Sequence, residues 1–250
     1  MDGADEDGWS SVATEWAELW GEHAEPVHRA IVESTGIRWG SRVLDVGCGS
    51  GEFLCLLESL GTLPAGVDPA PAMVDLSRKT APHADVREGE IEELPWPDNS
   101  FDVVTAINAL QFADDAGDGL RELVRVATPG GFVAVSNWAE GSLNDLDVIE
   151  RAIATFHGDE VSPDGELREA GGLERLFEGA GQPVATSRLI ELQWDLADDD
   201  SLIRGVMLGE DQGTMDAAAP VVLEAAAPFR VAGGGYRLVN RFRLAVSRVQ

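Results

Sequence analysis

Apolar positions in the first forty residues recur at helical spacing. Trp9, Val12, Ala13, Trp16, Leu19 and Trp20 fall on one side of a helix. Val27, Ala30 and Ile31 do the same in a second segment, from Pro26 to Thr35. The spacing predicts an N-terminal helical arm over 9–36, preceded by an acidic stretch, 1–8, that reads as disordered. From residue 42 the period changes. Arg42 to Val46, Ala65 to Val67, Asp85 to Arg87, Phe101 to Asn108 and Phe132 to Asn137 read as short strands. Between them lie helical patterns: from Gly51 with Phe53, Leu54, Leu56, Leu57 and Leu60, then Ala70 to Thr80, then Leu120 to Ala127 stopping before Pro129. The alternation predicts an α/β fold, a parallel sheet with helices on both faces. The nearly unbroken apolar run from Phe101 suits its centre.

The tail has a different rhythm. Pro183 to Trp194 and Tyr236 to Ser247 read as two more strands, with alternation at Leu238, Asn240, Phe242, Leu244 and Val246. Two segments stand outside the alternation. One is 139–181, with a helix from Gly172 to Gly179; the other is 198–235, rich in Ala and Gly. Loops on a rigid scaffold carry specificity, so both are expected to shape a substrate pocket. The 250 residues suffice for a single well-buried domain over 1–250 and require no second one.

One short stretch carries the candidate chemistry. In Val43-Leu44-Asp45-Val46-Gly47-Cys48-Gly49-Ser50-Gly51 an apolar strand is followed by glycines at alternate positions, and then by a helix. Glycines permit left-handed backbone and close ligand approach, and the helix start offers unpaired N–H groups. A dinucleotide site would need its third glycine at position 52, which is Glu52; here it comes one residue early, at Gly51. A diphosphate over this turn would also meet Glu52 and Asp45, and like charges in a partly buried site repel strongly. The acids suit a cationic, phosphate-free nucleoside, a description that S-adenosylmethionine fits.

The same nine residues resemble motif I of the class I S-adenosylmethionine-dependent methyltransferases, and three further blocks follow in order. Gly66-Val67-Asp68 resembles the second strand with its ribose-binding acid. The run from Glu88 to Val104, with Leu94-Pro95-Trp96 and Asn99-Ser100-Phe101-Asp102, resembles the family's block before and into strand four. Arg121 to Gly131 resembles its E-L-x-R-V-L-K-P-G-G block. The resemblance spans roughly residues 41 to 138 and is closest to small-molecule enzymes of the ubiquinone- and menaquinone-biosynthesis type. It implies a Rossmann-like seven-stranded sheet of order 3-2-1-4-5-7-6 whose last strand is antiparallel. It also implies the donor S-adenosyl-L-methionine and transfer to a small organic acceptor at O, N or C. A methyltransferase fold that binds the donor but catalyses a rearrangement, or acts as a binding subunit, is the alternative.

In such sheets the ligand lies at the carboxyl ends of the strands. The resemblance then assigns Gly47, Cys48 and Gly49 to the methionine moiety and Asp45 to its ammonium group. Asp68 takes the ribose, with Pro69 beside it; capping of the next helix is the competing role for Asp68. Met73 packs the adenine, Glu90 and Ile91 meet its amino group, and Asn108 and Gln111 flank the sulfonium. Glu90 departs from the family's usual Asp. Transfer from a sulfonium needs alignment more than acid–base help. Candidate bases are His157, His23 and His28, while His83 reads as a surface residue. Trp138, just past strand five, is a candidate wall of the acceptor pocket. Trp9, Trp16 and Trp20 either pack the arm or cover the cofactor.

Composition narrows the partners. The chain has 45 acids against 18 bases, a net charge of −27, with Lys79 its only lysine. No basic cluster is present, which disfavours nucleic acid and anionic membrane surfaces as partners. No apolar stretch approaches a membrane span, and the acidic N-terminus lacks signal-peptide character. Cys48 and Cys55 do not make a disulfide scaffold, as expected of a cytoplasmic protein. No metal-ligand cluster is expected, and no motif specifies an oligomeric state.

Overall fold

A computed structural model describes residues 6–161 and 163–250. Its sheet has seven strands in the order β3-β2-β1-β4-β5-β7-β6. These are β1 (Arg42–Val46), β2 (Leu63–Asp68), β3 (Asp85–Glu88), β4 (Phe101–Ile107), β5 (Ala127–Trp138), β6 (Val184–Leu196) and β7 (Tyr236–Arg248). The first five pair in parallel, and β7 pairs antiparallel with both β5 and β6. The order and the antiparallel last strand are those implied by the sequence resemblance.

Alternation along the strands builds two cores, one on each face. Leu44, Val46, Val104, Ala106, Val133 and Val135 face α5 (Ala116–Val126) and α7 (Gly172–Gly179) through Leu120, Leu123, Leu173 and Phe177. Val43, Val103, Ala134 and Leu244 face α2 (Glu25–Thr35), α3 (Glu52–Ser59) and α4 (Pro71–Thr80) through Ile31, Phe53, Leu57 and Val74. Neighbouring residues of one strand serve opposite faces, which is the period-2 signature of a sheet buried on both sides.

A third cluster stands outside the doubly wound core. The β6–β7 ribbon continues past the end of β5, from Glu191↔Arg241 to Leu196↔Tyr236. On this extension pack α1 (Glu6–Trp20), α6 (Asp145–His157), α8 (Asp199–Val206) and α9 (Gln212–Ala226), through Trp20, Ile149, Trp194, Leu202, Val222 and Leu238. Two indole N–H groups pin the arm to it: Trp20 donates to Gly205 O at 3.0 Å and Trp194 donates to Leu19 O at 2.8 Å. The result is a helical cap above the carboxyl edge of the sheet.

Element bounds differ most from the sequence expectation in four places. The expected disorder over 1–8 lies outside the described residues up to position 5, but residues 6–8 are helical, since α1 begins at Glu6; Asp7 in the first turn complements the helix dipole. The helix expected from Leu120 begins at Ala116, because Asp115 accepts hydrogen bonds from the Gly117 and Asp118 N–H groups as its N-cap. The strand expected from Phe132 begins at Ala127, paired there with Phe101 across an irregularity in register. The two insertions supply α6, α8 and α9, where only the short helix from Gly172 was expected.

The loop before β4 is held by one side chain. Arg125 on α5 donates to Glu122 through Nε at 2.7 Å and Nη2 at 2.7 Å. It also donates to Trp96 O at 2.9 Å, Asp98 at 2.8 Å and Leu94 O at 3.1 Å. Truncating it leaves the Trp96 carbonyl without a donor, a loss of roughly 1–3 kcal/mol when burial is complete. It also removes one of the two donors to Leu94 O, which keeps the Trp96 N–H at 2.8 Å, and frees Glu122 and Asp98 of their guanidinium. Arg125→Ala is expected to lower unfolding free energy by about 2–3 kcal/mol. Urea titration checks this, and hydrogen exchange should show the loosening confined to residues 94–100.

Candidate ligand-binding site

The carboxyl ends of β1, β2 and β4 open onto a cavity of about 470 Å³, the size of a small-molecule site. Its floor is the turn after β1. Val46 is buried at the strand end, and Gly47 then turns with φ +71°. A Cβ there would stand 2.4 Å from the Ala109 Cβ, so no other residue fits. Gly51 starts α3 in the left-handed region, and a Cβ on it would meet the Ser77 Cα at 2.9 Å. The loop after β4 and helix α4 therefore close on the turn from two sides.

Most amides of the turn are already engaged. The Gly47 and Cys48 N–H groups donate to Val67 O at 2.8 and 3.0 Å. Gly49 N–H donates to Asp68 Oδ2 at 2.9 Å, while Asp68 Oδ1 accepts from Ala70 N–H at 3.0 Å. A diphosphate needs such N–H groups free; here they tie β1 to β2. Asp68 thus braces the glycine turn and the chain entering α4, but does not cap that helix, whose N-cap is Ala70 with no side-chain cap hydrogen bond.

The electrostatics favour a cation. Asp45 is buried and accepts from Thr105 Oγ1 at 2.7 Å. Burial, with a smaller contribution from the Asp68 and Glu52 charges, pushes its pKa up to about 8 against the Thr105 hydrogen bond. Burial also raises Asp68 and Glu52, and Ser50 Oγ donates to Glu52 at 2.7 Å. Burial pushes the Cys48 thiol well up, keeping it protonated and unreactive. No lysine or arginine among the described residues borders the cavity.

Of the residues singled out in the sequence, Asp45, Gly47, Cys48, Gly49, Asp68, Pro69, Met73, Glu90, Ile91 and Asn108 line this one cavity. Met73 is buried, Ile91 half-buried, and Glu90 exposed at the rim. Gln111 is not among them. It is exposed and borders an adjoining cavity of about 920 Å³, because the turn after β4 carries it away from the glycine turn. The two cavities share Trp9, Trp16, Trp20, Asn108 and Trp138. The outer one is bounded by residues of both insertions, among them Asn144, Arg151, Arg168, Met207 and Leu208.

The histidines divide in the same way. His23 and His28 border the inner cavity, and burial lowers both to a pKa of about 4. Neither ring nitrogen of His23 has a hydrogen-bond partner among the described residues. His28 leans on Phe53, ring centroids 4.9 Å apart. His157, at the end of α6, is exposed on the outer cavity. His83 is exposed, and its N–H donates to Glu58.

Two contributors were not singled out in the sequence. Thr105, which holds Asp45, is the one hydroxyl within the apolar run of β4, and that break in the run was the available signal. Phe242 faces the inner cavity from β7, and its partner in register is Trp138. Its position follows from sheet order rather than from any local pattern.

Comparison with known proteins agrees with the fold and the turn. A methyltransferase domain family, Methyltransf_11, matches residues 44–135. Malonyl-[acyl-carrier protein] O-methyltransferase of Yersinia pestis is 40% identical over 107 residues, covering 43% of this chain and 40% of that protein. The chain spans about half or less of the length of the curated relatives it first matches. Among solved structures, an S-adenosylmethionine-dependent methyltransferase from Aquifex aeolicus aligns with a TM-score of 0.57 at 17% identity, covering 98% of this chain and 99% of that one. The [4+2]-cyclase SpnF aligns at 0.60 and 18%, covering 92% and 82%. Both share the fold.

Proposed function

We propose that this chain, whose residues 44–135 match a methyltransferase domain, binds S-adenosyl-L-methionine in the inner cavity and transfers its methyl group to a small organic acceptor. The observation that carries the reading is the glycine-turn cavity itself. It is ringed by Asp45, Glu52 and Asp68, borders no lysine or arginine among the described residues, and has its strand-end amides already bonded. That surrounding fits a cationic nucleoside, whose ammonium group draws the carboxyls into their charged form, and offers a diphosphate neither free amides nor a lysine or arginine.

Asp45 would hold the ammonium group, Gly47 to Gly49 the methionine chain, Asp68 the ribose, and Met73, Glu90 and Ile91 the adenine. The donor supplies an activated methyl group; the chain aligns the acceptor and excludes water. The arm helix α1 and the two insertions wall the acceptor space through Trp16, Trp20, Leu146 and Met207. Two free cysteines, Cys48 and Cys55, suit a reducing compartment such as the cytoplasm.

Incubation with the donor and a panel of hydroxyl, amine and carbon acceptors tests the reading, with S-adenosylhomocysteine release as the signal. Acceptor-dependent release supports transfer. Tight donor binding with no release for any acceptor favours the second reading, a rearrangement or binding role, for which the cyclase of the same fold is the precedent.

Asp45 gives the binding step a proton signature. With a pKa near 8 its carboxyl is mostly neutral at pH 7 in the free protein. An ammonium group beside it favours the carboxylate, so binding releases a proton. Affinity should rise with pH and level off above about 8. Calorimetry of S-adenosylhomocysteine binding at pH 7, in buffers of different ionisation enthalpy, should report release approaching one proton. Asp45→Asn should abolish the buffer dependence.

A further inference from the structure

We propose that His23, on the turn between α1 and α2, is the acceptor-side base of the transfer, and that the aromatic walls around it select a flat, uncharged ring bearing a hydroxyl group. This rests on the reading above that the inner cavity holds the methyl donor.

The imidazole is buried in a ring of aromatic faces. Trp138 lies nearly parallel to it at 5.7 Å, and Trp20 and Phe242 stand edge-on at 5.2 and 6.1 Å. These side chains border the same cavity as Asp45 and Asn108. Both His23 nitrogens, and Asn108 Oδ1 as well, are buried with no partner among the described residues. Leaving such a group unpaired costs about 1–3 kcal/mol, so orphans of this kind call for a ligand or an unseen bridging group.

Chemistry selects the ligand class. A neutral imidazole offers one N–H and one lone pair, and a hydroxyl can meet the lone pair. Burial keeps His23 neutral at pH 7. Within the inner cavity a carboxylate acceptor would face Asp45, Glu52 and Asp68 with no lysine or arginine among the described residues beside it; Arg151 and Arg168 border the outer cavity alone. An ammonium acceptor has no lone pair until it loses a proton, and a base as weak as His23 cannot take it in advance. A hydroxyl oxygen keeps a lone pair while still protonated. That oxygen forms the new C–O bond as the methyl C–S bond breaks, and the C–S pair stays on sulfur, leaving a neutral thioether. The hydroxyl proton passes to the free His23 nitrogen, and the imidazolium loses it to solvent after product leaves.

The test uses the protein saturated with S-adenosylhomocysteine, and 2-naphthol and naphthalene as probes. Calorimetry is expected to show 2-naphthol bound about tenfold more weakly by His23→Phe, one hydrogen bond's worth. Naphthalene and S-adenosylhomocysteine should bind the variant within twofold of wild type. Nitrogen-15 NMR of wild-type protein needs no variant: 2-naphthol, but not naphthalene, should shift the lone-pair nitrogen of His23. In turnover, hydroxylated rings should be the acceptors used, with His23→Phe lowering kcat about 100-fold. Equal binding of 2-naphthol by both proteins, a silent His23 resonance, or turnover of amines or acids alone would overturn the proposal. Failure of wild-type protein to bind S-adenosylhomocysteine at all would instead remove the reading beneath it.

Discussion

Gly47→Ala is expected to abolish binding of S-adenosylhomocysteine and to lower unfolding free energy by about 3 kcal/mol. Two costs add. The residue sits at φ +71°, where a side chain is strained by about 1–2 kcal/mol. The new Cβ would then stand 2.4 Å from the Ala109 Cβ, and overpacking of that kind costs roughly 1–3 kcal/mol more. The neighbour cannot yield easily. Ala109 follows Asn108, itself left-handed at φ +53° and tied to Ser136 O at 2.8 Å. Relief must come from moving the turn, which displaces the Gly47 and Cys48 amides from Val67 O. Gly36→Ala is the control: φ is +67° there too, but nothing lies within 4 Å of the added Cβ. It should cost about 1 kcal/mol and leave ligand affinity unchanged. Urea titration and calorimetry read both quantities.

Asp68→Ala is expected to weaken S-adenosylhomocysteine binding about 100-fold. The carboxylate braces Gly49 and Ala70 and, in the proposed complex, meets the ribose hydroxyls. Losing charge-assisted hydrogen bonds worth roughly 1.5–3 kcal/mol each gives a change of that order. Bracing and ribose binding can be separated with a 2′-deoxy analogue of the ligand. Wild-type protein should bind the analogue less tightly than the parent compound, and Asp68→Ala should show little further discrimination. A double-mutant cycle with fully additive losses would assign Asp68 to bracing alone.

The sequence was most legible where structure is local. The turn from Val43 to Gly51, the acid ending β2 and the run of β4 each carry their own signals of period, glycine placement and end residue. Their cavity-lining positions lie at or just after strand ends, so sheet order brings Asp45, Gly47, Cys48, Gly49, Asp68 and Asn108 together. Gln111 shows the limit: one short turn after β4 decides which cavity a residue borders, and no periodicity encodes that turn. The cap was less legible still. Helices α6, α8 and α9 lie in the two insertions and were not expected there, because their apolar faces are completed by Trp20, Trp194 and Leu238 from distant parts of the chain. His23 was visible as a histidine near tryptophans, but its burial depends on Trp138 and Phe242, which only the strand order of β5 and β7 brings beside it.

The most direct test of the account is a crystal structure of the protein with S-adenosylhomocysteine. The account predicts the methionine chain along Gly47 to Gly49, its ammonium group at Asp45, the ribose at Asp68, and the sulfur facing His23 and Trp138. Density for the ligand outside this cavity, or its absence from crystals grown at saturating concentration, would contradict it.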